Sequence, residues 1–425
     1  MSFCSVGTSV LKNLKKYGVI SIFDKEIYRN PYKNIKVKEP KKIELTFEQS
    51  KAYDTYSNML LNTGGSGLLY GVTGSGKTQV YLKLIDKALE NDRDVIVLVP
   101  EISLTPQVLS IFHARYGDKV AVFHSGLSLG ERNDEYKRAD RGEAKIVIGT
   151  RSAVFAPLHN LGLIIMDEEQ ENTYKSERTP KYNTKDVAHF RCKYNKALFL
   201  MTSATPSLET YSNALKGKYV LCELNERFGD AKLPHVITVD MKQEMKNGNK
   251  SPISSKLKEL ISETIDNGKQ AILLINRRGY NTFIACNDCG HVITCPNCSI
   301  SLTYHSTNNR LTCHYCGYTK SLDNVCPECH SENIRYSGYG TQKIEDELSY
   351  LFPNARILRM DADTTSAKFS HEKLFNAFAN HEYDIMIGTQ MVAKGLDFDN
   401  VTLVGVVNAD NSLYDESYNS AERCF

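Results

Sequence analysis

The feature of this sequence that most constrains its fold is a glycine-rich segment at residues 71–78, GVTGSGKT. It fits the pattern G-x-x-x-x-G-K-[ST], follows the apolar run Gly67–Tyr70 and precedes a helical pattern over Val80–Leu89. Strand, loop and helix in that order place backbone N–H groups and the positive end of a helix dipole around phosphates. A chance glycine-rich turn is the alternative, and the flanking elements argue against it. We therefore predict a nucleotide site in which Lys77 neutralises phosphates and Thr78 ligates Mg²⁺. The loop residues predicted to bind the nucleotide are Gly71, Gly74, Ser75, Gly76, Lys77 and Thr78.

The chain on both sides of this loop alternates helical patterns with short apolar runs. The runs lack a polar face, which is typical of strands in a parallel sheet that helices cover on both sides. The pattern breaks near Arg227–Pro234, and a second set of strands follows. We predict an α/β fold with two sheet-centred lobes. The predicted strands are Gly67–Tyr70, Val95–Val99, Lys145–Ile148, Leu163–Met166 and Ala197–Met201 in the first set, and Val236–Val239, Ala271–Ile275, Arg356–Met360, Ile385–Ile387 and Thr402–Val406 in the second.

Two acidic residues, Asp167 and Glu168, directly follow the predicted strand Leu163–Met166. Open α/β sheets bind their ligands at the carboxyl ends of strands. We predict that Asp167 holds Mg²⁺ and that Glu168 positions or deprotonates the attacking water. A solvated acidic turn is the alternative, and the presence of a phosphate loop in the same lobe makes it the weaker one.

Two further segments favour a motor of the helicase type over a generic ATPase. Thr202–Pro206, with the sequence TSATP, follows a strand and carries small hydroxyls suited to sensing hydrolysis. The segment GTQMVAKGLDF, which begins at Gly388, lies in the second set of strands. In it, Thr389 and Lys394 are candidates for contacts with a phosphate backbone, and Asp397 is a candidate for contact with the nucleotide ribose.

Three segments of the first lobe are candidates for contact with nucleic acid. Val97–Gln107 and Gly149–Phe155 follow strands and carry small polar residues, which suit phosphate contacts that do not read base sequence. Thr173–Asn183 interleaves tyrosines with basic residues, a mixture that suits base stacking and backbone attraction. An exposed tyrosine-bearing loop is an equally good interpretation of this last segment, because the chain holds 24 tyrosines.

Eight of the twelve cysteines lie between Cys286 and Cys329, in four C-x2-C pairs. In a reducing compartment such clustering indicates metal rather than disulfides. Eight thiolates suffice for two closed, tetrahedral S4 sites with a structural role. Iron–sulfur ligation is the competing interpretation, and the regular pairs favour zinc. The inner pairs lie close to zinc-ribbon spacing, which predicts one site from Cys295, Cys298, Cys313 and Cys316 and another from Cys286, Cys289, Cys326 and Cys329.

The composition describes an ordinary soluble globular protein, with 41% hydrophobic and 24% charged residues. No apolar run approaches the roughly 18 residues of a membrane helix, and the first residues lack the apolar stretch of a signal peptide. We expect a cytoplasmic protein without a membrane partner. The net charge of +2 says nothing about nucleic acid, and the basic first 45 residues fit a DNA-facing surface or a solvated linker equally well.

From about Leu45 to the end, the chain resembles the primosomal protein N′ (PriA) family of bacterial replication-restart helicases. The most specific marker is the eight-cysteine block directly after NRRGY at residues 276–280. The residues before Leu45 resemble part of a winged-helix domain. The other motifs that carry the resemblance are GVTGSGKT, LVPEISLTPQ, GTRSAVFAPL, DEEQE, TSATPSLE and GTQMVAKGLDF.

This resemblance implies an ATP-dependent superfamily 2 DNA helicase with two RecA-like lobes that moves 3′ to 5′ and uses ATP, Mg²⁺ and two Zn²⁺. It implies recognition of stalled or branched forks, primosome assembly and reloading of the replicative helicase. The implied partners are single-stranded and forked DNA, primosome proteins, the replicative helicase loader and single-stranded DNA-binding protein. It also implies that Gln49 contacts adenine and that the loop after DEEQE couples DNA binding to hydrolysis.

The expected domains follow from the same motifs. They are a winged-helix remnant and linker at residues 1–40, an ATP-binding helicase lobe at 41–230, a second lobe at 231–285 and 332–425, and a zinc-binding insertion at 286–331.

The chain departs from the family pattern in three places. Gln170 stands where the family usually has His, and the N-terminal domain that captures a 3′ DNA end is expected to be absent. After Phe425 the family continues into an arginine motif, which completes the ATP site, and into a C-terminal domain. We therefore expect a fragment that binds ATP poorly or hydrolyses it slowly. Two alternatives stay open: a non-catalytic zinc- and DNA-binding primosome scaffold, and a double-strand translocase or RNA helicase with the same ATPase core.

Overall fold

The structure is a computed structural model, and the residues that it describes form twelve α-helices and sixteen β-strands. The residues it describes are 8–21, 43–100, 106–176, 179–227, 234–249, 251–275, 282–286, 288–299, 301–305, 310–313, 316–321, 325–332, 334–337, 341–360, 370–389, 398–414 and 420–424. The NRRGY segment, Lys394 and Asp397 lie outside these ranges, so the roles expected of them stay predictions.

The first lobe is built on seven parallel strands. Their bounds are β1 (Gly65–Gly71), β2 (Asp94–Leu98), β3 (Val120–Phe123), β4 (Ile146–Gly149), β5 (Leu161–Asp167), β6 (Leu198–Ser203) and β7 (Val220–Leu224). The order across the sheet is β3-β4-β2-β5-β6-β1-β7. All five strands predicted from apolar runs in this lobe are present. The two strands that were not predicted, β3 and β7, lie at the two edges of the sheet, and β7 is only partly buried.

Helices cover both faces of this sheet. Along β2, Val95 and Val97 belong to the core on one face, whereas Ile96 and Leu98 belong to the core on the other, and none of these side chains is exposed. Burial on both sides explains why the strands read as continuous apolar runs. The helices up to the end of this lobe are α1 (Thr8–Lys16), α2 (Phe47–Asn58), α3 (Lys77–Glu90), α4 (Pro106–Tyr116), α5 (Leu129–Asp140), α6 (Thr184–Asn195) and α7 (Leu208–Leu215).

The second lobe is built on four parallel strands in the order β14-β15-β8-β16. They are β8 (Gln270–Ile275), β14 (Ile357–Met360), β15 (Ile385–Gly388) and β16 (Val401–Val407). Its helices are α8 (Met241–Lys246), α9 (Ser255–Asp266), α10 (Thr341–Leu351), α11 (Ser370–Ala379) and α12 (Ser420–Cys424). Residues of α9 and α10 pack on one face of the sheet and residues of α11 on the other.

One predicted strand of the second set is wrong. Val236–Val239 lies outside any strand, and the Val236 side chain is 76% exposed. β-Branched residues favour strands mainly because they pack on a half-buried pleated surface, and this segment has no such surface to pack on.

The cysteine-rich region forms a small antiparallel sheet that the sequence patterns did not predict. Its strands are β9 (Thr282–Cys286), β10 (Thr303–His305), β11 (Arg310–Thr312), β12 (Thr319–Ser321) and β13 (Ile334–Ser337). They lie in the order β12-β11-β10-β9-β13. The sheet therefore extends on both sides of residues 286–331, into the strands that enter and leave the cysteine block.

No helix in the part of the chain that the structure describes combines the length and the apolar character that crossing a bilayer requires.

Candidate nucleotide site and cysteine centres

The motifs of the first lobe converge because three of its strands are neighbours. β5 pairs with β6, and β6 pairs with β1, all in parallel. Asp167 lies opposite Thr202 in the first pair, and Ser203 lies opposite Tyr70 in the second. The carboxyl ends of the three strands thus bring the phosphate loop, the acidic motif and the TSATP segment to one edge of the sheet.

The phosphate loop has the close backbone approach that its glycines predicted. A Cβ added to Gly71 would lie 2.6 Å from Ser75 Oγ, and one added to Gly76 would lie 2.4 Å from Gln49 Nε2. Gly74 has a φ of +79° and open space where a side chain would be. Ser75 Oγ is buried and lacks a hydrogen-bond partner among the described residues. These features fit a loop shaped to close around a phosphate chain.

The Lys77 side chain folds back over the phosphate loop and contacts its backbone. Its Nζ donates to the carbonyl oxygens of Gly71 at 2.7 Å and Val72 at 3.2 Å. Burial lowers the pKa of Lys77, whereas the charges of Glu168 and Asp167 oppose that shift. The lysine therefore shares one electrostatic environment with both carboxylates.

Gln49 is buried and joins α2 to the phosphate loop. Its Nε2 donates to the Ser75 carbonyl at 2.9 Å, and its Oε1 accepts from Thr46 N at 2.9 Å in a capping box at the start of α2. The structure places this amide against the back of the loop. The contact with adenine that the resemblance implies stays a prediction.

Asp167 carries an unusual pKa for a carboxyl group. Burial and the neighbouring charge of Glu168 raise the pKa of Asp167 to about 6, against a favourable hydrogen bond from the Thr202 hydroxyl. A bound cation would stabilise the ionised form of this carboxyl group, as expected of the Mg²⁺ ligand predicted here.

Glu168 is linked to the TSATP segment through Gln170. Gln170 Nε2 donates to Glu168 Oε2 at 2.7 Å, and Ser203 Oγ donates to Gln170 Oε1 at 2.7 Å. Thr205 N donates to Ser203 Oγ at 2.8 Å. A glutamine amide offers a donor and an acceptor at once, so Gln170 connects the acidic motif to β6.

Tyr174 is a residue of the site that the sequence patterns misassigned. It belongs to the segment Thr173–Asn183, for which base stacking and an exposed tyrosine-bearing loop were both open interpretations, yet the Tyr174 side chain is only 3% exposed. Its hydroxyl lies 2.6 Å from the Asp167 carbonyl oxygen and 3.0 Å from that of Leu98. Tyr174 therefore ties the acidic motif to β2 and is not a stacking surface.

Two other residues of this loop, Thr173 and Tyr182, contact the GTRSAVF segment. Tyr182 meets the Phe155 ring edge to face at 5.0 Å, and Arg151 donates to the Thr173 carbonyl at 3.3 Å. Phe155 is 53% exposed. The structure thus places two of the segments predicted to contact nucleic acid side by side, with an aromatic ring open to solvent between them.

The eight cysteines form two clusters in the groups that the spacing predicted. In each cluster all four Sγ atoms lie within 4.8 Å of one another, and the clusters are Cys286, Cys289, Cys326, Cys329 and Cys295, Cys298, Cys313, Cys316.

The geometry of these clusters fits zinc. The Sγ–Sγ distances are 3.5 Å for Cys286–Cys329 and 3.6 Å for Cys295–Cys316. Four thiolates at the usual Zn–S distance of about 2.3 Å form a tetrahedron with edges of about 3.8 Å. The two clusters are Cys4 zinc-binding sites, each made by two C-x2-C pairs.

Three known families match successive parts of the chain. A DEAD/DEAH box helicase domain matches residues 48–214, the PriA DNA helicase Cys-rich region domain matches 295–320, and a helicase conserved C-terminal domain matches 318–423. The chain is 48% identical to the replication restart protein PriA of Bacillus subtilis (strain 168), over 98% of this chain and 52% of the relative. It is 43% identical to the PriA of Synechocystis, over 99% of this chain and 51% of the relative.

This chain belongs to the PriA family. It spans about half the length of the curated PriA relatives that it matches. Both helicase domains and the cysteine-rich region are present.

The fold is that of helicases more generally. The chain is similar to the DUF1998 helicase MrfA bound to DNA, with a TM-score of 0.51 and 14% identity over 89% of this chain and 47% of that one. It is also similar to the Mycobacterium smegmatis helicase Lhr bound to ssDNA and AMP-PNP, with a TM-score of 0.50 and 16% identity over 89% of this chain and 43% of that one. These likenesses concern the RecA-like lobes.

Proposed function

We propose that this chain is the motor region of an ATP-dependent DNA helicase that moves 3′ to 5′, recognises stalled or branched forks and serves replication restart through primosome assembly. The observation that carries the proposal is the convergence of Lys77, Asp167 and Glu168 at one sheet edge, within a chain of the PriA family. The direction, the fork preference and the protein partners rest on the family resemblance.

In this proposal each residue of the site has one task. Lys77 and the loop amides hold the phosphates, and Thr78 and Asp167 hold Mg²⁺, which neutralises the charge that develops during hydrolysis. Glu168 orients the attacking water and accepts its proton. Through Gln170, Ser203 is in position to respond to a change at Glu168.

The proposed path for DNA crosses the surface where Gly149–Phe155 and Thr173–Asn183 meet. Arg151 and the exposed ring of Phe155 offer backbone attraction and a stacking face at the same place. The MrfA and Lhr structures were both solved with DNA, which supports binding of DNA by lobes of this fold. The zinc sites stabilise the inserted sheet and do no chemistry in this scheme.

The test is binding of a fluorescent ATP analogue and ATP turnover, with and without single-stranded DNA, by the wild-type chain and Lys77→Ala. We expect Lys77→Ala to weaken nucleotide binding and to reduce DNA-stimulated turnover by on the order of 100-fold or more, because the loop loses its only charged phosphate ligand. Lys87→Ala is the matched control, since Lys87 is a solvated lysine on the same helix, paired with Glu90 at 3.4 Å.

Turnover that survives Lys77→Ala would contradict the proposed site. Binding of DNA and zinc with no nucleotide binding by the wild-type chain would favour the scaffold alternative. Comparing forked DNA with 3′ or 5′ tails against RNA duplexes, in a longer protein that contains this chain, separates the proposed activity from translocases and RNA helicases.

A further inference from the structure

Glu169, the third residue of the acidic motif, is a buried charge that the proposed chemistry does not use. Its side chain has no exposed surface and forms an ion pair with Lys185 of α6. It also accepts from Ser207 N at 2.7 Å and from Thr210 Oγ1 at 3.0 Å. A buried charge is costly unless it is paired and hydrogen-bonded, so this network fixes geometry rather than adding much stability.

The partners of Glu169 lie in the first turn of α7. Ser207 is the N-cap of this helix, and Thr210 belongs to its first turn. Ser207 follows the TSATP segment directly, and Glu169 N donates to the Thr202 carbonyl at 3.2 Å. The acidic motif and the start of α7 are therefore joined twice, by the side chain of Glu169 and by the chain that runs through TSATP.

The same turn accepts a second carboxylate from the other lobe. Leu208 N, at the first position of α7, donates to Glu422 Oε1 at 3.3 Å. Glu422 lies in α12, within the residues that match the helicase C-terminal domain. The first N–H groups of a helix have no partner inside the helix and favour negative charge, so two carboxylates from opposite sides are a stable arrangement there.

We propose that the first turn of α7 is the link by which the position of the second lobe acts on Glu168, with Glu169 and Glu422 as its two positioning residues. A shift of α12 moves Leu208, and the rigid pairing of Ser207 with Glu169 carries that shift to the acidic motif. Ser203 carries it in parallel through Gln170 to Glu168. This link rests on the proposed function, because it regulates the same ATP site.

The experiment measures coupling between two ligands in the full 425-residue chain. The dissociation constant of a fluorescent ATP analogue is determined with and without a saturating single-stranded oligonucleotide, and the ratio of the two values is the coupling factor. We expect Glu422→Ala to reduce the coupling factor by about 5-fold or more, at the lower end of typical coupling between sites. Each ligand measured alone should keep its wild-type affinity within about 2-fold, because Glu422 belongs neither to the proposed nucleotide site nor to the proposed DNA path.

Two matched variants separate a specific link from a general loss of charge. Glu422→Gln keeps an acceptor oxygen for Leu208 N and should retain most of the coupling. Glu259→Ala removes an exposed glutamate of α9 that pairs with Lys256 at 2.8 Å, and it should couple like the wild type.

Glu169→Gln tests the other end of the link. It keeps one acceptor oxygen for Ser207 N but replaces the oxygen that accepts from Thr210 with an NH2 donor and loses the charge that faces Lys185, so we expect reduced coupling. If both glutamates act through one turn, the effects of Glu169→Gln and Glu422→Ala should not add in the double variant. Thermal unfolding shows whether Glu169→Gln folds, and if it does not, the Glu422 variants decide alone.

The outcomes distinguish this link from the motor itself. Wild-type coupling that is unchanged in Glu422→Ala overturns the link and leaves the motor intact. A wild-type chain that binds neither ligand overturns the motor, and the link with it. A chain that binds both ligands without coupling also overturns the link.

Discussion

The first lobe and the cysteine-rich sheet are held together in different ways. In the first lobe, parallel strands are buried on both faces, and every residue of β2 is at most 4% exposed. In the cysteine-rich sheet, strands of three to five residues surround a small core in which Ile293, Leu302 and Leu311 pack with Cys295 and Cys313. So few apolar side chains bury too little surface to offset the entropy of ordering the segment. The difference shows that metal coordination replaces apolar burial where the core is small.

The largest effect should follow from breaking a zinc site. Cys313→Ala removes a fully buried ligand, and the binding free energy of an S4 site is on the order of 10–16 kcal/mol. We expect zinc content to fall from about two ions per chain to about one, and proteases to cut within residues 282–337. Nucleotide binding by the first lobe should persist. Cys192→Ala, a buried thiol of the first lobe, should leave the zinc content unchanged.

The converse change should break the first lobe and spare the zinc sites. Phe199→Ala removes a ring with no exposed surface from β6, and should lower the free energy of unfolding by about 3–5 kcal/mol. This change in the free energy of unfolding can be measured by urea unfolding, with loss of nucleotide binding as the signal. Phe190→Ala, on α6 and 71% exposed, should change stability by less than about 0.5 kcal/mol. Equal losses in the two variants would mean that burial in this sheet is not what stabilises the lobe.

Tyr174→Phe sharpens the comparison, because it alters a polar contact inside the apolar lobe. The carbonyl oxygens of Leu98 and Asp167 both lose the hydroxyl, which should cost about 1–3 kcal/mol. We expect weaker Mg²⁺-dependent nucleotide binding and an unchanged zinc content. Tyr194→Phe, at an 81% exposed position, is the control. An unaltered nucleotide affinity in Tyr174→Phe would show that the phenol does not hold the acidic motif in place.

The smallest effect should come from the ion pair at the edge of the second lobe. Arg356 lies 2.7 Å from Asp384, and this contact lowers the pKa of Asp384 below its ordinary 3.8. The pair is partly exposed, so Asp384→Asn should cost less than about 1 kcal/mol at pH 7. A lowered native pKa means that the contribution is complete above the unfolded pKa and is lost as pH falls through the native one. The stability gap between wild type and variant should therefore close in acid, and a gap that widened would contradict this sign.

The sequence predicted the parts of the fold that have a strong period or a fixed spacing. Strands buried on both faces, such as Val95–Val99, read as apolar runs, and the cysteine spacing predicted the two clusters. Prediction from the sequence failed mainly where a segment has neither a clear hydrophobic period nor a fixed motif spacing. The edge strand β7 is only partly buried and so lacks a continuous apolar run, and the strands of the cysteine-rich sheet are too short to show a period. The edge strand β3 is an apolar run as long as β4 and was missed, and Val236–Val239 has strand-like composition without a surface to cover.

The sequence alone determined which motifs this chain carries, because a phosphate loop, an acidic pair and C-x2-C pairs are local patterns whose residues are close along the chain. Only the tertiary structure decided what joins them. The burial of Tyr174 beneath the acidic motif and the meeting of Glu169 with Glu422 at α7 depend on strand order and on contacts between residues far apart in sequence. No local pattern encodes such contacts, because they are set by how the sheets and helices pack.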